Sequence, residues 1–422
     1  LQSADFRQRF PRMPTSFGHP DSVLRFWRAL AAPLVRTEPT PFYLFSAEPV
    51  AAALRELNTA FSTLPVPVRH WLSCKTQPLR PLLQWWRQTR GDIEVVSEFE
   101  LRAALAEGFA PENILVNGPA KHHWLPRYEL SGLKVNFDSP NELRALLPLA
   151  KRRRWPVGLR LRTSDEIDPD GRDWTTQFGF PPADFAAAVK QLQRAGLPVE
   201  QVHFHLRTNV PRAAIYEQAL NELAEVCRAS GCAPRVVDLG GGFPPAHVQS
   251  RKGAPLDSEF SLASMREVLG RMRRQFPALT EIWLENGRWM SARSGVLVVR
   301  VLDVKETHGK RHLICDGGRT MNALVATWEH HGLFTIPTRR GKTIPTTATG
   351  PTCMAFDQLV RRDLPRRLRM GDKLVWLEAG AYHLPWETRF SHGLAGVFWH
   401  EQGKVRRVRA NESFESWWGQ WR

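Results

Sequence analysis

Between about residues 70 and 290, eight short runs rich in β-branched and aromatic residues alternate with longer amphipathic stretches, a pattern that few folds satisfy. The runs are 71–75, 93–97, 114–118, 133–137, 157–162, 202–206, 235–240 and 281–286. Helical periodicity fills several of the gaps, as in 98–106 and 215–227. Another helix, 141–147, is opened by Ser139-Pro140, a cap residue followed by a first-turn proline. Eight strand–helix alternations predict a (β/α)₈ TIM-type barrel over 36–288, with a doubly wound sheet as the alternative. After about residue 290 the texture changes. Runs at 296–304, 311–315 and 373–377 are separated by Gly, Asp and Pro turns, and helical patterns are few. The fold class expected is α/β plus β: the barrel, then a C-terminal β domain over 289–422. Residues 1–35 are too short to fold alone and are expected to pack on that β domain.

A chain of 422 residues exceeds one ordinary core, in keeping with two parts. No apolar run approaches the roughly 20 residues needed to span a bilayer. The stretch from Leu1 to Arg7 lacks the apolar core of a signal peptide, so a soluble, cytoplasmic protein without a membrane partner is expected. The formal charge of +16 raises nucleic-acid binding. The basic residues are scattered, however, and no zinc-finger spacing, RNA-binding aromatic motif or basic tail accompanies them. Their densest clusters, Lys151-Arg152-Arg153-Arg154 and Arg361 to Arg369, fall beside expected helices. Nucleic acid is not expected as a partner; an anionic small molecule or an acidic protein suits the charge better. Five cysteines make neither a disulfide framework nor a zinc site, and no metal is expected.

In a barrel, chemistry gathers at the C-terminal ends of the strands. Those ends here carry Lys75, Ser97, Asn117, Asp138, Arg160, His205, the run Gly240-Gly241-Gly242, and Glu285. A lysine closing a buried strand is costly unless paired or reactive. Three glycines after a strand can offer bare backbone N–H groups to a phosphate, or merely make a tight turn. His203 and His205 alternate onto one side of their strand. Glu285, leading Asn286-Gly287-Arg288, could hold a proton on a heteroaromatic nitrogen. Further on, Gly350-Pro351-Thr352-Cys353 holds a thiol after a Gly-Pro turn. An amine, a phosphate cup, a group to stack on a ring and a carboxylate for its nitrogen are the parts a pyridoxal phosphate site needs.

In these motifs the chain resembles the fold-type III pyridoxal phosphate decarboxylases, of alanine racemase-like fold, which include the ornithine, arginine and diaminopimelate enzymes. The resemblance runs from about Pro41 to His400. Ser73-Cys74-Lys75-Thr76 is similar to the Schiff-base lysine motif, without the family's usual tyrosine and asparagine. Glu94 to Leu101 is similar to the second-strand motif, with Glu94 in place of an aspartate. Gln177-Phe178-Gly179-Phe180 matches the loop after the fifth strand, whose Arg160 stands where the family has a site arginine. The resemblance implies that Lys75 carries pyridoxal 5'-phosphate, that His205 stacks on its ring and that Glu285 keeps the ring nitrogen protonated. It also implies that Gly240, Gly241, Gly242, Thr208, Gly287, Arg288 and Tyr382 help hold the cofactor. Cys353 would be the proton donor to Cα, contributed across a homodimer interface.

The departures concern the substrate. Leu206-Arg207-Thr208 replaces a Gly-Ser pair, and Asn286 replaces a proline. Met354 stands where ornithine and diaminopimelate decarboxylases carry an acidic residue that recognises the distal amine. A free ammonium there would go unpaired, at a cost of about 1–3 kcal/mol. The segment Arg389-Phe390-Ser391-His392-Gly393 is similar to that of branch members acting on acylated or citrylated amino acids in siderophore and natural-product biosynthesis, some on a carrier protein. Arg160, Arg207, Met354, Asp357 and His392 are therefore expected at the substrate, an amino acid or its conjugate, with an acidic carrier protein as a possible partner. The rivals are an ornithine- or diaminopimelate-type decarboxylase of altered specificity, a racemase, and a non-catalytic binding protein.

Overall fold

A computed structural model describes residues 16–169, 176–307 and 309–422. The reading of Leu1 to Arg7, and the first fifteen residues of the expected N-terminal segment, lie outside them. The chain divides into two compact units. Among the described residues, those within 49–245 and 257–291 form a barrel unit; those from 16 to 48, with 246–256 and those within 292–422, form a β unit.

All eight expected strands are present in the barrel unit. In chain order they are Val68–Ser73, Asp92–Val95, Ile114–Val116, Lys134–Phe137, Val157–Arg160, Val199–His203, Val236–Asp238 and Glu281–Leu284. Each pairs in parallel with the next, and the eighth closes on the first, Ile282 opposite Val68. Closure, not a doubly wound sheet, is the outcome, and it leaves no free strand edge. The helices start where the sequence provides caps. Ser139 Oγ accepts the Glu142 N–H at 3.3 Å, and Glu142 in return accepts the Asp138 N–H at 3.0 Å, ahead of Pro140–Arg153. Ser97, noted as a polar strand end, is the cap of Glu98–Ala106, accepting the Glu100 N–H at 3.2 Å.

The β unit is built on a nine-stranded sheet. Its long strand, Gly295–Thr307, pairs with Phe42–Ser46, Lys310–Cys315 and Lys373–Trp376. Phe42 and Leu44 pack with Val296, Val298, Val375 and Phe398, and the helix Asp21–Thr37 adds Trp27 and Ala31 to the same cluster. The boundary expected at residue 35 therefore moves to Glu48, because Phe42–Ser46 is a strand of this sheet. Residues 246–256 also belong here, since Gln249–Ser250 pairs with Glu329–His330. Sequence spacing carries no sign of either long-range pairing. The cluster from Arg361 to Arg369 is not beside a helix as expected: it begins in the strand Gln358–Pro365. Within it Arg362 is buried, its guanidinium near the Trp376 and Phe17 rings, and burial lowers its pKa to about 9.

Candidate active site

Lys75 leaves the first barrel strand in a single tight turn, Cys74–Thr76. Its Nζ donates to Ser73 Oγ at 2.7 Å and to the Glu94 carboxylate at 2.8 and 3.0 Å. Ser73 Oγ donates to Glu94 as well. Glu94, from the second strand, is buried at 1% exposure, whereas the lysine side chain is 39% exposed. The amine is thus anchored from below and open above. Gly287 makes this turn possible: a Cβ there would lie 2.4 Å from Thr76 Cγ2 and 2.8 Å from Ser73 Cβ.

Across the mouth, the end of the eighth strand places Glu285 among polar side chains of its neighbours. Asn117 Nδ2 donates to Glu285 Oε1, and Asn136 Nδ2 donates to Asn117 Oδ1 at 2.9 Å and to Asp238 at 3.3 Å. Single ligand atoms of His203, Asp238 and Glu285 lie within 4.8 Å of one another. Burial first, then the neighbouring charges of Asp238 and Glu94, holds Glu285 well above the ordinary carboxylate range. Burial also raises Asp238, to about 7. Two carboxylates this close cannot both ionise cheaply, so the pair retains a proton unless a cation faces it. Burial, followed by Arg160, drives His203 well below its usual value and takes His205 down to about 3. Both imidazoles are neutral, and neither ring nitrogen of His203 has a hydrogen-bond partner among the described residues.

The glycine run is tighter than an open anion nest. Gly240 N–H is committed to Asp238 Oδ1 at 3.0 Å and Gly241 N–H to His205 Nδ1 at 3.2 Å. A Cβ on Gly240 would meet His205 Nδ1 at 2.6 Å, and one on Gly241 would meet the Glu285 carbonyl at 2.4 Å. These glycines let three strand ends close on one another. Gly242, at φ +104°, has an N–H with no partner among the described residues. Of the three, it keeps a donor to offer.

Arg160 lies under the Phe178 ring at 4.5 Å and 3.5 Å from Asp138, with its pKa lowered by burial. Arg207, expected to face the substrate, is instead tied to Asp168 through Nε and Nη2 and to the Asn209 carbonyl at 3.1 Å. Its charge is met by a carboxylate from the loop after the fifth strand. Thr208 next to it is exposed, and Arg288 is buried in the helix Gly287–Ser291.

The remaining expected residues belong to the β unit. Cys353 is an exposed free thiol. Asp357, expected at the substrate, is 2% exposed. It accepts the Arg319 N–H at 2.6 Å, the Thr352 N–H at 3.1 Å and the Thr352 hydroxyl at 2.6 Å. Gly318 and Gly350 pack so closely on it that a Cβ on either would fall 2.3 Å from its oxygens. Asp357 therefore shapes the loop carrying Cys353 and Met354, and its carboxylate is not offered outward. Tyr382, at φ +65°, packs on Trp386 with ring centroids 5.9 Å apart. His392 is half-buried, and Arg389 beside it is held by Glu412 at 3.0 Å.

The structure adds Ser73, Glu94, Asn117, Asn136, His203 and Asp238 to the site. Asn117 was visible as a polar strand end. Asn136 and Asp238 sit inside strand runs, where a polar residue at a barrel layer is the only signal.

The model for the pyridoxal-binding domain of pyridoxal-dependent decarboxylases matches residues 50–292, more than half of the chain. The chain belongs to the pyridoxal-dependent decarboxylase family. Among curated relatives, the diaminopimelate decarboxylase of Actinosynnema pretiosum is 28% identical over 73% of this chain and 72% of its own length. The lysine/ornithine decarboxylase of Selenomonas ruminantium is 27% identical over 85% and 88%. The solved diaminopimelate decarboxylase of Helicobacter pylori, complexed with L-lysine, superposes with a TM-score of 0.76 at 21% identity, covering 92% of this chain and 98% of its own. That of M. jannaschii gives 0.80 at 18%, covering 92% and 94%. At such identities the structures speak to fold alone.

This protein is accordingly a pyridoxal phosphate-dependent amino acid decarboxylase, a carboxy-lyase. The residues present fit the cofactor. An open amine, an unpartnered glycine N–H and a proton-holding acid pair stand around one barrel mouth. When bound, pyridoxal phosphate supplies the electron sink for the pair left behind as the α-carboxylate departs as carbon dioxide. The chain supplies the rest. Ser73 and Glu94 hold the Lys75 amine, and Asn117 fixes the Glu285 carboxyl by a hydrogen bond to one oxygen. With the cofactor bound, Glu285, beside Asp238, would be the carboxylate to hold a protonated ring nitrogen, and that cation would favour its ionised form.

Proposed function

We propose that this decarboxylase acts on an L-amino acid whose distal end is not a free ammonium, with an acylated or citrylated diamino acid of siderophore or natural-product type as the leading class. One observation carries the reading: the loop bearing Cys353 has no outward carboxylate. Met354 stands beside the thiol, Asp357 is consumed by backbone donors, and the Arg319 guanidinium lies 5.2 Å from the exposed Phe356 ring. A cation and apolar side chains suit a neutral or acylated group better than an ammonium. Arg207 adds no support for a carboxylate on the substrate, because that guanidinium is already paired. The curated relatives favour a simple diamino acid instead, which makes the substrate the point to test.

We further place the working form as a homodimer in the cytoplasm, with Cys353 of one protomer protonating Cα at the partner's barrel. Cys353 is exposed, as a donor that must reach another surface has to be, and all five cysteines are free. No described helix is long and apolar enough to cross a membrane. An acidic carrier protein would suit the basic chain if the substrate arrives tethered.

The experiment is a mass-spectrometric screen for loss of carbon dioxide from L-ornithine, L-lysine, meso-diaminopimelate and their distal acyl and citryl conjugates. Conjugates are expected to react with kcat/KM at least about tenfold above the free amino acids, the worth of one unpaired charged group. Met354→Glu should shift the preference back toward ornithine and lysine. A wild-type preference for a free diamino acid would overturn the substrate assignment and leave the decarboxylase standing.

A further inference from the structure

Besides the site at the C-terminal ends of its strands, the barrel unit holds a cavity of about 690 Å³ at the opposite end. Its walls come from where strands begin, with Arg69, Lys134, Arg235 and Glu281 at or beside the first residues of four of them. Lys151 and Arg154 join from the C-terminal end of the helix Pro140–Arg153. In all, five cations line the space against two carboxylates, Glu200 and Glu281.

Most of these cations are answered locally. Arg69 grips Asp92 with two bonds, at 2.5 and 2.7 Å, and Arg235 lies 3.7 Å from Glu200. Lys134 donates to the Glu112 carbonyl, with its ammonium pulled below its ordinary value by burial and by Arg69. In the basic run that stood out in the sequence, Arg152 and Arg153 turn to Glu129. Lys151 and Arg154 face the cavity with no carboxylate partner among the described residues. A second, independent observation comes from the floor. Gln201 is fully buried, lines the same cavity, and has an Oε1 without a partner among the described residues; its Nε2 reaches only the Pro156 carbonyl, at 3.4 Å. Room for this side chain is made by Gly158 of the neighbouring strand, where a Cβ would come within 2.4 Å of Gln201 Cγ. A buried amide oxygen left bare is costly unless a ligand donor meets it.

We propose that this cavity binds a small polyanion of the oligophosphate or polycarboxylate class, distinct from the cofactor and substrate of the active site. Lys151 and Arg154 meet its charge, and Gln201 accepts a hydrogen bond from a hydroxyl or protonated oxygen of the same molecule. The volume falls in the range of about 300–1,000 Å³ typical of small-molecule pockets, and charge-assisted bonds from two cations supply the main attraction.

Isothermal titration calorimetry tests this on the cofactor-saturated protein, with tripolyphosphate in one arm and citrate in the other. Saturable one-site binding of at least one anion is expected, and which one binds identifies the source. Affinity should fall at least about tenfold in the surface double variant Lys151→Glu/Arg154→Glu, and several-fold in Gln201→Met. The double variant should keep the visible cofactor absorbance and the wild-type decarboxylation rate, which separates this site from the active one. No saturable heat from either anion up to about 1 mM, or equal affinity in the double variant, overturns the proposal. Because Lys151 and Arg154 are exposed, that variant decides the matter even where Gln201→Met fails to fold.

Discussion

At the C-terminal ends of the barrel strands, four buried carboxylates (Glu94, Asp138, Asp238 and Glu285) stand with two cations, Lys75 and Arg160. At the N-terminal ends, five cations line a cavity with two carboxylates. The groups respond as the imbalance requires. Burial and mutual repulsion push Asp238 and Glu285 up at one end; burial and Arg69 push Lys134 down at the other. At an effective dielectric near 20, two unit charges 4 Å apart interact by about 4 kcal/mol, so neither surplus is neutral in energy. Each end is short of a charge of the opposite sign. On the readings proposed above, a protonated ring nitrogen would answer the first, and an anion the second.

The contrast is broken most severely at Lys75. Lys75→Ala removes both the amine expected to anchor the cofactor and the cation that Glu94 holds. Visible cofactor absorbance should disappear and kcat should fall by at least about a thousand-fold, as expected for loss of a group that acts in the chemistry itself. Retained turnover with an unshifted cofactor spectrum would remove Lys75 from its role. Glu285→Gln comes next. It preserves the bond from Asn117 but removes the carboxylate expected to hold a charged ring nitrogen, so kcat should drop about a hundredfold with the cofactor still bound. A variant at full rate would mean that Asp238 alone answers the ring.

The difference between the two ends was only partly legible in the sequence. Eight strands were, because β-rich runs bounded by helical periodicity need no long-range information, and Lys75, His205 and Glu285 followed as polar residues closing those runs. The pairings that set each charge were not. Asp168 neutralises Arg207 from a loop 39 positions away, and Asp357 turns inward because Gly318 and Gly350 leave it no other place. Lys151 and Arg154 differ from Arg152 and Arg153 only in which of them reaches Glu129. Spacing shows which residues share a strand end, whereas tertiary packing decides which charge remains to be used.

A smaller effect sharpens the comparison through pH. In the apoprotein His205 and His70 titrate at about 3 and 4, depressed by burial, against an ordinary value of 6.5. The unfolded chain therefore binds more protons between pH 6.5 and about 4, and stability falls as pH drops through that window. Asp238 acts with opposite sign. Raised to about 7, it is protonated in the fold where the unfolded chain is ionised, so acidification from about 7 to 4 relieves a penalty. Asp238→Asn removes that relief, and its Tm should fall more steeply than the wild type's between pH 6.5 and 4. Parallel Tm profiles would show that Asp238 titrates normally.

The smallest effect is expected at the other end. With no anion present, Lys151 and Arg154 add only repulsion to a cluster whose Lys134 is already destabilised as a cation. Both are exposed, so solvent screens most of that repulsion, and Lys151→Glu/Arg154→Glu should raise the apoprotein's stability by only a few tenths of a kcal/mol. The corresponding rise in Tm, about one degree, should shrink further in molar salt. Addition of the binding anion should reverse the order, because a ligand held by the wild type alone stabilises it by mass action while leaving the variant unchanged. A double variant less stable than the wild type without any anion would show that these two side chains serve the fold, and that the excess of positive charge at this end is already balanced within the protein.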